Sequence, residues 1–218
     1  MKRIFLIFSG IILTFLTVKS QDNMASIKPI RIGLMAAPSI AWMKPSDANF
    51  ESDGVKFGSQ YGLATEFYFT DNYGLATGVN IVYNGGKLNN KETALKNIYN
   101  EIKYKLQYLE LPLSLKMRTN PGFLSFYGQF GLGLSFALNA KGDYKMKNNV
   151  KKEDDDLKND VNIFRGGFVV GGGVEISLGG STTALAGVTF NNGLSDILKG
   201  KDFKSINNYI SLNLGILF

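Results

Sequence analysis

Between Leu106 and Leu138 apolar and polar residues alternate with a period of two. Leu109, Leu111, Leu113, Leu115 and Met117 interleave with Tyr108, Glu110, Pro112, Ser114, Lys116 and Arg118. After Thr119, Asn120, Pro121 and Gly122 the pattern resumes with Leu124, Phe126, Phe130, Leu132, Leu134, Phe136 and Leu138. Period two marks a strand with two unlike faces, and the residues between the two rows favour a turn. Each apolar row is long enough to cross a bilayer as a tilted strand, which takes about 9 to 11 residues. The opposite row, with Ser125, Tyr127, Gln129, Gly131, Gly133 and Ser135, is too small and polar for a soluble core. The segment therefore predicts a transmembrane β-hairpin.

The same alternation recurs in eight segments, at roughly residues 31–42, 57–69, 73–84, 104–118, 123–138, 163–178, 182–191 and 208–218. Long connections (43–56, 85–103, 139–162, 192–207) alternate with short ones (Thr70 to Asn72, Asn120 and Pro121, Gly179 and Gly180). Bacterial outer-membrane barrels are laid out this way, with long loops outside and short turns in the periplasm. An even count lets the first and last strands pair antiparallel and leaves no free edge. In the third segment Tyr73, Leu75, Val79, Ile81 and Tyr83 oppose Gly74, Ala76, Gly78, Asn80 and Asn84; in the sixth, Phe164, Phe168, Val170, Val174 and Ile176 oppose Arg165, Gly167, Gly171, Gly173 and Glu175. The first segment contains Pro38, which belongs at an edge or bulge, and the seventh has a thin apolar row of Ala184, Ala186, Val188 and Phe190. The last carries Ile210, Leu212, Leu214, Ile216 and Phe218 against Ser211, Asn213 and Gly215. Alternate hydrophobics ending on an aromatic resemble the signal read by the barrel-assembly machinery, with Leu214, Ile216 and Phe218 as its residues.

The expected fold is all-β: a monomeric, eight-stranded, antiparallel, up-and-down transmembrane β-barrel in the cell outer membrane, with both termini in the periplasm. A soluble lipocalin-like binder has the same alternation with the faces reversed. It needs the Leu109 to Met117 row inside and places Glu110 and Lys116 in water.

The N-terminus adds export. Lys2 and Arg3 precede an apolar run from Ile4 to Val18, and Val18 and Ser20 occupy the small-residue positions of a cleavage site. This predicts a secretory signal peptide over residues 1–20 and a barrel domain over 21–218; the run falls short of the roughly 20 residues of a spanning helix. There is no cysteine, hence no disulfide and no lipidated cysteine. Without Lys2, Arg3 and Lys19 the 24 basic residues become 21 against 18 acidic, a net charge of +3 that gives no case for a nucleic-acid partner. The 25 glycines suit a crowded lumen. Aromatic belts are expected at Phe67, Phe69 and Tyr73 near the periplasmic rim, and at Trp42, Phe57, Tyr61, Tyr83 and Phe136 toward the other.

Candidate chemistry is sparse. The chain has no histidine, the residue on which the enzymatic outer-membrane barrels rely, so no catalytic, cofactor-binding or metal-ligating set is expected. Glu66, Glu110, Glu175, Lys116, Arg118, Arg31 and Arg165 fall on the polar faces and so inside the lumen. Counting from the short turns places Glu66, Lys116 and Glu175 at similar depth, Arg31 and Arg118 just below, and Arg165 near the outer mouth. Narrow eight-stranded barrels fill their interior with side chains, so these residues read as a charge network that closes the lumen, or as a selectivity ring or proton path. Gly128, Gly131 and Gly133, like Gly171 to Gly173, lie inside strands, without the strand-to-helix turn and lysine of a phosphate loop. The connection from Lys145 through Lys147, Lys151 and Lys152 to Glu153, Asp154, Asp155 and Asp156 reads as a solvated bipolar loop, without calcium-loop spacing. As a docking surface it fits a protein partner or lipopolysaccharide phosphates. Leu95, Ile98, Tyr99 and Ile102 have near-helical spacing, which suits a short amphipathic helix over the mouth or an outward continuation of the following strand.

The run Leu106 to Lys116 (LQYLELPLSLK) and the run Asn192 to Ile197 (NGLSDI) are similar to two motifs of the PorT-like family of outer-membrane β-barrels. The resemblance extends through the strand order to Phe218. It implies the barrel architecture and an accessory part in protein secretion, with outer-membrane lipid and lipopolysaccharide, the assembly machinery, and a secretion-system or surface protein as partners. The competing expectation is a narrow porin-like channel for ions or small solutes.

Overall fold

The computed structural model describes residues 29–46, 50–90, 101–145, 151–199 and 204–218. Every regular element among them is a strand: β1 (Ile30–Pro45), β2 (Phe50–Ser52), β3 (Lys56–Tyr68), β4 (Tyr73–Asn90), β5 (Glu101–Arg118), β6 (Leu124–Lys145), β7 (Lys151–Asp156), β8 (Phe164–Gly179), β9 (Thr182–Gly193) and β10 (Ser205–Leu217). Eight of these pair antiparallel in the order β1-β3-β4-β5-β6-β8-β9-β10. β10 returns to β1, from Gly33 opposite Leu217 to Pro45 opposite Ser205. The fold is a closed eight-stranded antiparallel barrel. The two short strands add to its long-loop end, β2 on β4 and β7 on β6.

The faces decide the solvent. Ile32, Leu34, Leu63, Leu113, Met117, Phe126, Phe130, Leu132 and Ile216 lie exposed on the outer wall, whereas Arg31, Glu66, Glu110, Ser114, Lys116 and Glu175 are buried in the lumen. The lipocalin-like alternative is overturned, because the Leu109 to Met117 row points out and its polar partners point in. No water-soluble exterior tolerates apolar rows on all eight staves; a bilayer does. Pro38 sits mid-strand on the outer face opposite Ser59. The β10 ladder passes it without a shift, from Ala36 opposite Leu214 to Ser39 opposite Ser211, so it marks neither edge nor bulge. A bulge lies instead on β6, where Gln107 faces Asn139 but Tyr108 faces Ala137, leaving Leu138 as the extra residue.

At the long-loop end the structure corrects the expected boundaries. β4 continues to Asn90, β5 begins at Glu101 and β6 reaches Lys145, so much of the expected loops at 85–103 and 139–162 is strand. Alternation persists there, but the outer row changes from apolar to charged (Lys87, Lys103, Lys105, Lys141), and a criterion built on a greasy outer row stops at the membrane's edge. Ile102 belongs to β5 and not to a helix; Leu95, Ile98 and Tyr99 lie outside the described residues. Lys151 to Asp156, expected as a solvated loop, is strand β7 on β6, with Lys145 ending β6 and Lys147 outside the described residues. The expected signal peptide, residues 1–20, also lies outside them.

Candidate functional site: the lumen

Near the short-turn end, strand register brings five charged side chains to one level. Arg31 on β1 and Glu66 on β3 are direct cross-strand partners, and Lys116 on β5 and Glu175 on β8 face them across the barrel. Arg31 donates through Nε to Glu66 at 3.2 Å and grips both oxygens of Glu175, Nη1 to Oε2 at 3.1 Å and Nη2 to Oε1 at 2.7 Å. Lys116 Nζ bridges Glu66 Oε1 and Glu175 Oε1, each at 2.5 Å. Arg118 reaches Glu175 Oε2 at 3.3 Å and donates its Nε to the Asp71 carbonyl at 2.9 Å. Three cations thus meet two carboxylates. Two aromatic faces take up the excess positive charge: Lys116 lies 4.1 Å from the Tyr127 ring centre and Arg118 4.0 Å from that of Tyr68. Tyr127 lies along the inner wall across β8 and β9 because its neighbours there are Gly173 and Gly187; a Cβ on Gly187 would stand 2.1 Å from the phenol oxygen.

Higher in the barrel a second layer forms around Glu110. Its carboxylate accepts hydrogen bonds from Tyr209 Oη at 2.7 and 2.8 Å and from Ser135 Oγ at 2.8 Å, while Arg165 Nη1 stays 3.7 Å away. Arg165 is committed elsewhere, through Nη2 to Asn191 Oδ1 at 2.7 Å and the Asn207 carbonyl at 2.8 Å. Between the two layers lies a cavity of about 80 Å³, lined by Gln60, Asn80, Glu66, Glu110, Thr189 and Asn213 among others. Gln60 Oε1 and Asn80 Oδ1 have no protein partner there. A polar cavity of this size suits a few waters.

The long-loop mouth is closed by apolar side chains. Met43, Val82, Leu88, Tyr104, Leu106 and Tyr108 from the staves pack with Leu157, Val161, Ile197 and Leu198 from two connections. The connections are tied together: Asn162 Nδ2 donates to the Asp196 carbonyl at 2.9 Å, and Val161 bridges Leu198. Ser195 Oγ accepts the Gly166 N–H at 2.8 Å and latches the Asn192 to Ile197 segment to β8.

All seven charged residues expected inside are inside. Five of them form the lower layer, and Glu110 with Arg165 forms the upper one. The tyrosines Tyr68, Tyr127 and Tyr209 and the cap residues Leu157, Val161, Ile197 and Leu198 were missed. The tyrosines carried a usable signal, since each lies on the same polar row as the charges. Leu214, Ile216 and Phe218 lie exposed on the outer wall at the short-turn end. Asp154, Asp155 and Asp156 lie along β7, and among the described residues no three acidic side chains converge as a cation site.

The family described as outer membrane protein beta-barrel domain matches residues 19–199. Among solved structures the fold is similar to Neisserial surface protein A, at 14% identity and TM-score 0.47 over 88% of this chain and 98% of that one. It is similar also to the outer membrane protein OprG from Pseudomonas aeruginosa, at 14% identity and TM-score 0.46 over 85% and 96%. A third is the outer membrane protease OmpT from Escherichia coli, at 8% identity and TM-score 0.46 over 90% and 99%. No curated protein sequence matches.

Proposed function

The chain belongs to the outer membrane protein beta-barrel domain family, and from that premise we propose a non-enzymatic barrel with a filled lumen that works through its long-loop end. That end faces outward and both termini lie in the periplasm. The observation that carries this reading is the stacking of three closures along one axis: the Arg31–Glu66–Lys116–Glu175–Arg118 layer, the Glu110–Arg165 layer and the apolar cap. A lumen filled in this way has no continuous water path for solute selection. Its rigid staves instead hold the loops in place for a partner, and the PorT resemblance points to an accessory part in protein secretion, with a secretion-system or surface protein as that partner. Leu214, Ile216 and Phe218, exposed on the last strand, suit capture by the assembly machinery. A narrow ion channel is the competing reading, favoured by the polar cavity between the layers. Single-channel recording on the refolded chain separates the two: silence is expected from the native protein, with leakage after Glu66→Gln and Glu175→Gln are combined. Steady ion-selective conductance by the native protein would sink the sealed-barrel reading.

A further inference from the structure

Two prolines stand in the middle of staves. Pro38 keeps its place in the β1–β3 ladder, opposite Ser59, but the β1–β10 ladder passes from Ala36 with Leu214 directly to Ser39 with Ser211. Its nitrogen therefore faces β10, and the Leu212 carbonyl is left without the donor that a ladder supplies. Pro112 repeats this on β5. It pairs with Gly133 on β6, whereas the β4–β5 ladder passes from Thr77 with Leu113 directly to Asn80 with Glu110, which leaves the Gly78 carbonyl without its donor. Interior strands exclude proline for this reason, and no water in a bilayer core makes good the loss. The other ladders of the wall run unbroken through this depth.

The two gaps bound one panel of the wall, β1–β3–β4, and both border the cavity between the charged layers. Gln60, the β3 partner of Ala37, lines that cavity together with Asn213 at the first gap, and Thr77, Asn80 and Pro112 line it at the second. Side-chain bonds span the gaps: Gln60 Nε2 to Asn213 Oδ1 at 3.3 Å, and Thr77 Oγ1 to the Pro112 carbonyl at 2.8 Å. Oxygens without a protein partner gather at the same places. Ser39 Oγ and Ser211 Oγ are cross-strand neighbours at the upper end of the first gap, and Gln60 Oε1 and Asn80 Oδ1 stand beside the cavity. Buried polar atoms are rarely left so; here they offer hydrogen bonds to whatever enters.

We propose that the β1–β3–β4 panel is a lateral port: it parts from β10 at Pro38 and from β5 at Pro112 and lets small uncharged solutes pass between the bilayer and the cavity. The charged layers and the apolar cap close both aqueous ends, so the wall is the way in that remains, and the inference rests on that closure. The path and the chamber set the class. A solute that reaches the cavity crosses hydrocarbon without charge and fits a space of about 80 Å³.

The chain has no cysteine, so Thr189→Cys puts a lone thiol against the cavity, and Ser114→Cys does so at a second position. Each variant, refolded into phosphatidylcholine vesicles and checked for folding through Trp42, is treated with methyl methanethiosulfonate. The thiolate attacks its sulfenyl sulfur, a disulfide forms and methanesulfinate leaves. This uncharged, lipid-soluble reagent is expected to label both thiols about tenfold faster than its trimethylammonium-ethyl analogue, which stays in water. Pro38→Ala and Pro112→Ala restore the missing donors and together are expected to slow labelling about tenfold, near the worth of two ladder bonds; Pro121→Ala, in a turn, should leave the rate unchanged. No labelling of either thiol overturns the port. Exclusion of the charged reagent with rates indifferent to both alanines also overturns it, while leaving the ends closed. Equal labelling by the two reagents places the entrance at an aqueous end and sinks the sealed-barrel reading as well.

Discussion

Two buried carboxylates in one barrel are held by opposite means. Glu175 lies among three cations, Arg31, Lys116 and Arg118. Glu110 is held mainly by neutral hydroxyls, with its cation set back at 3.7 Å. The lower layer stands on charge balance, and removing one member leaves the others uncompensated in a confined interior. The upper layer stands on hydrogen-bond geometry, which a neutral side chain of the same shape largely preserves. A buried charge's energetic weight thus depends on its partners more than on its burial.

That contrast is open to attack by substitution, with urea unfolding in vesicles followed through Trp42, the single tryptophan. Glu175→Gln leaves three cations facing Glu66 alone and is expected to cost about 3 to 5 kcal/mol; a loss under about 1 kcal/mol would show the lower layer to be solvated. Glu110→Gln keeps an acceptor for Tyr209 and Ser135, and Arg165 keeps Asn191 and the Asn207 carbonyl, so about 2 kcal/mol is expected. If its loss equals that of Glu175→Gln, the distinction between the layers collapses. Ser195→Ala removes the hydroxyl that accepts the Gly166 N–H, worth about 1 kcal/mol, and leaves the Leu194 and Ser195 N–H groups on the Gly166 carbonyl. It should show as faster proteolysis within residues 192–204 while the barrel's unfolding midpoint stays put. The smallest effect lies outside the lumen. Lys56 has its pKa lowered from 10.5 to about 8, so the unfolded chain binds the extra proton between those values and stability rises with pH across that window. Lys56→Met should flatten that rise, measured as the unfolding midpoint against pH; an unchanged slope would assign it to other lysines.

The lumen charges were legible because two rules fix a side chain in a barrel. Period two says which way it points, and distance from a short turn says how high it stands. Those rules put Glu66, Lys116 and Glu175 at similar depth and Arg31 and Arg118 just below; that the two arginines reach up into the same layer shows only in their contacts with Glu66 and Glu175. The tyrosines were harder, since Tyr68 and Tyr127 occur near a rim where aromatics also face lipid, and only their row tells inside from outside. The cap was beyond the pattern altogether. Leu157, Val161, Ile197 and Leu198 sit in connections without periodicity, and their burial follows from tertiary ties such as Asn162 to Asp196. The upward extension of β4, β5 and β6 was hidden for a related reason: above the membrane the outer row faces water, and lysine replaces leucine at the same spacing.

The ladder between β1 and β10 also dictates the order of assembly. Its partners, Gly33 with Leu217 and Pro45 with Ser205, are nearly as far apart in sequence as any pair in the described chain. Contacts so remote form late and slowly. Every intermediate lacking β10 has two unpaired sheet edges beside a wall of exposed leucine and phenylalanine, which is an aggregation hazard. The closing strand therefore commits the chain, and any helper that escorts it must hold both edges apart until that strand arrives.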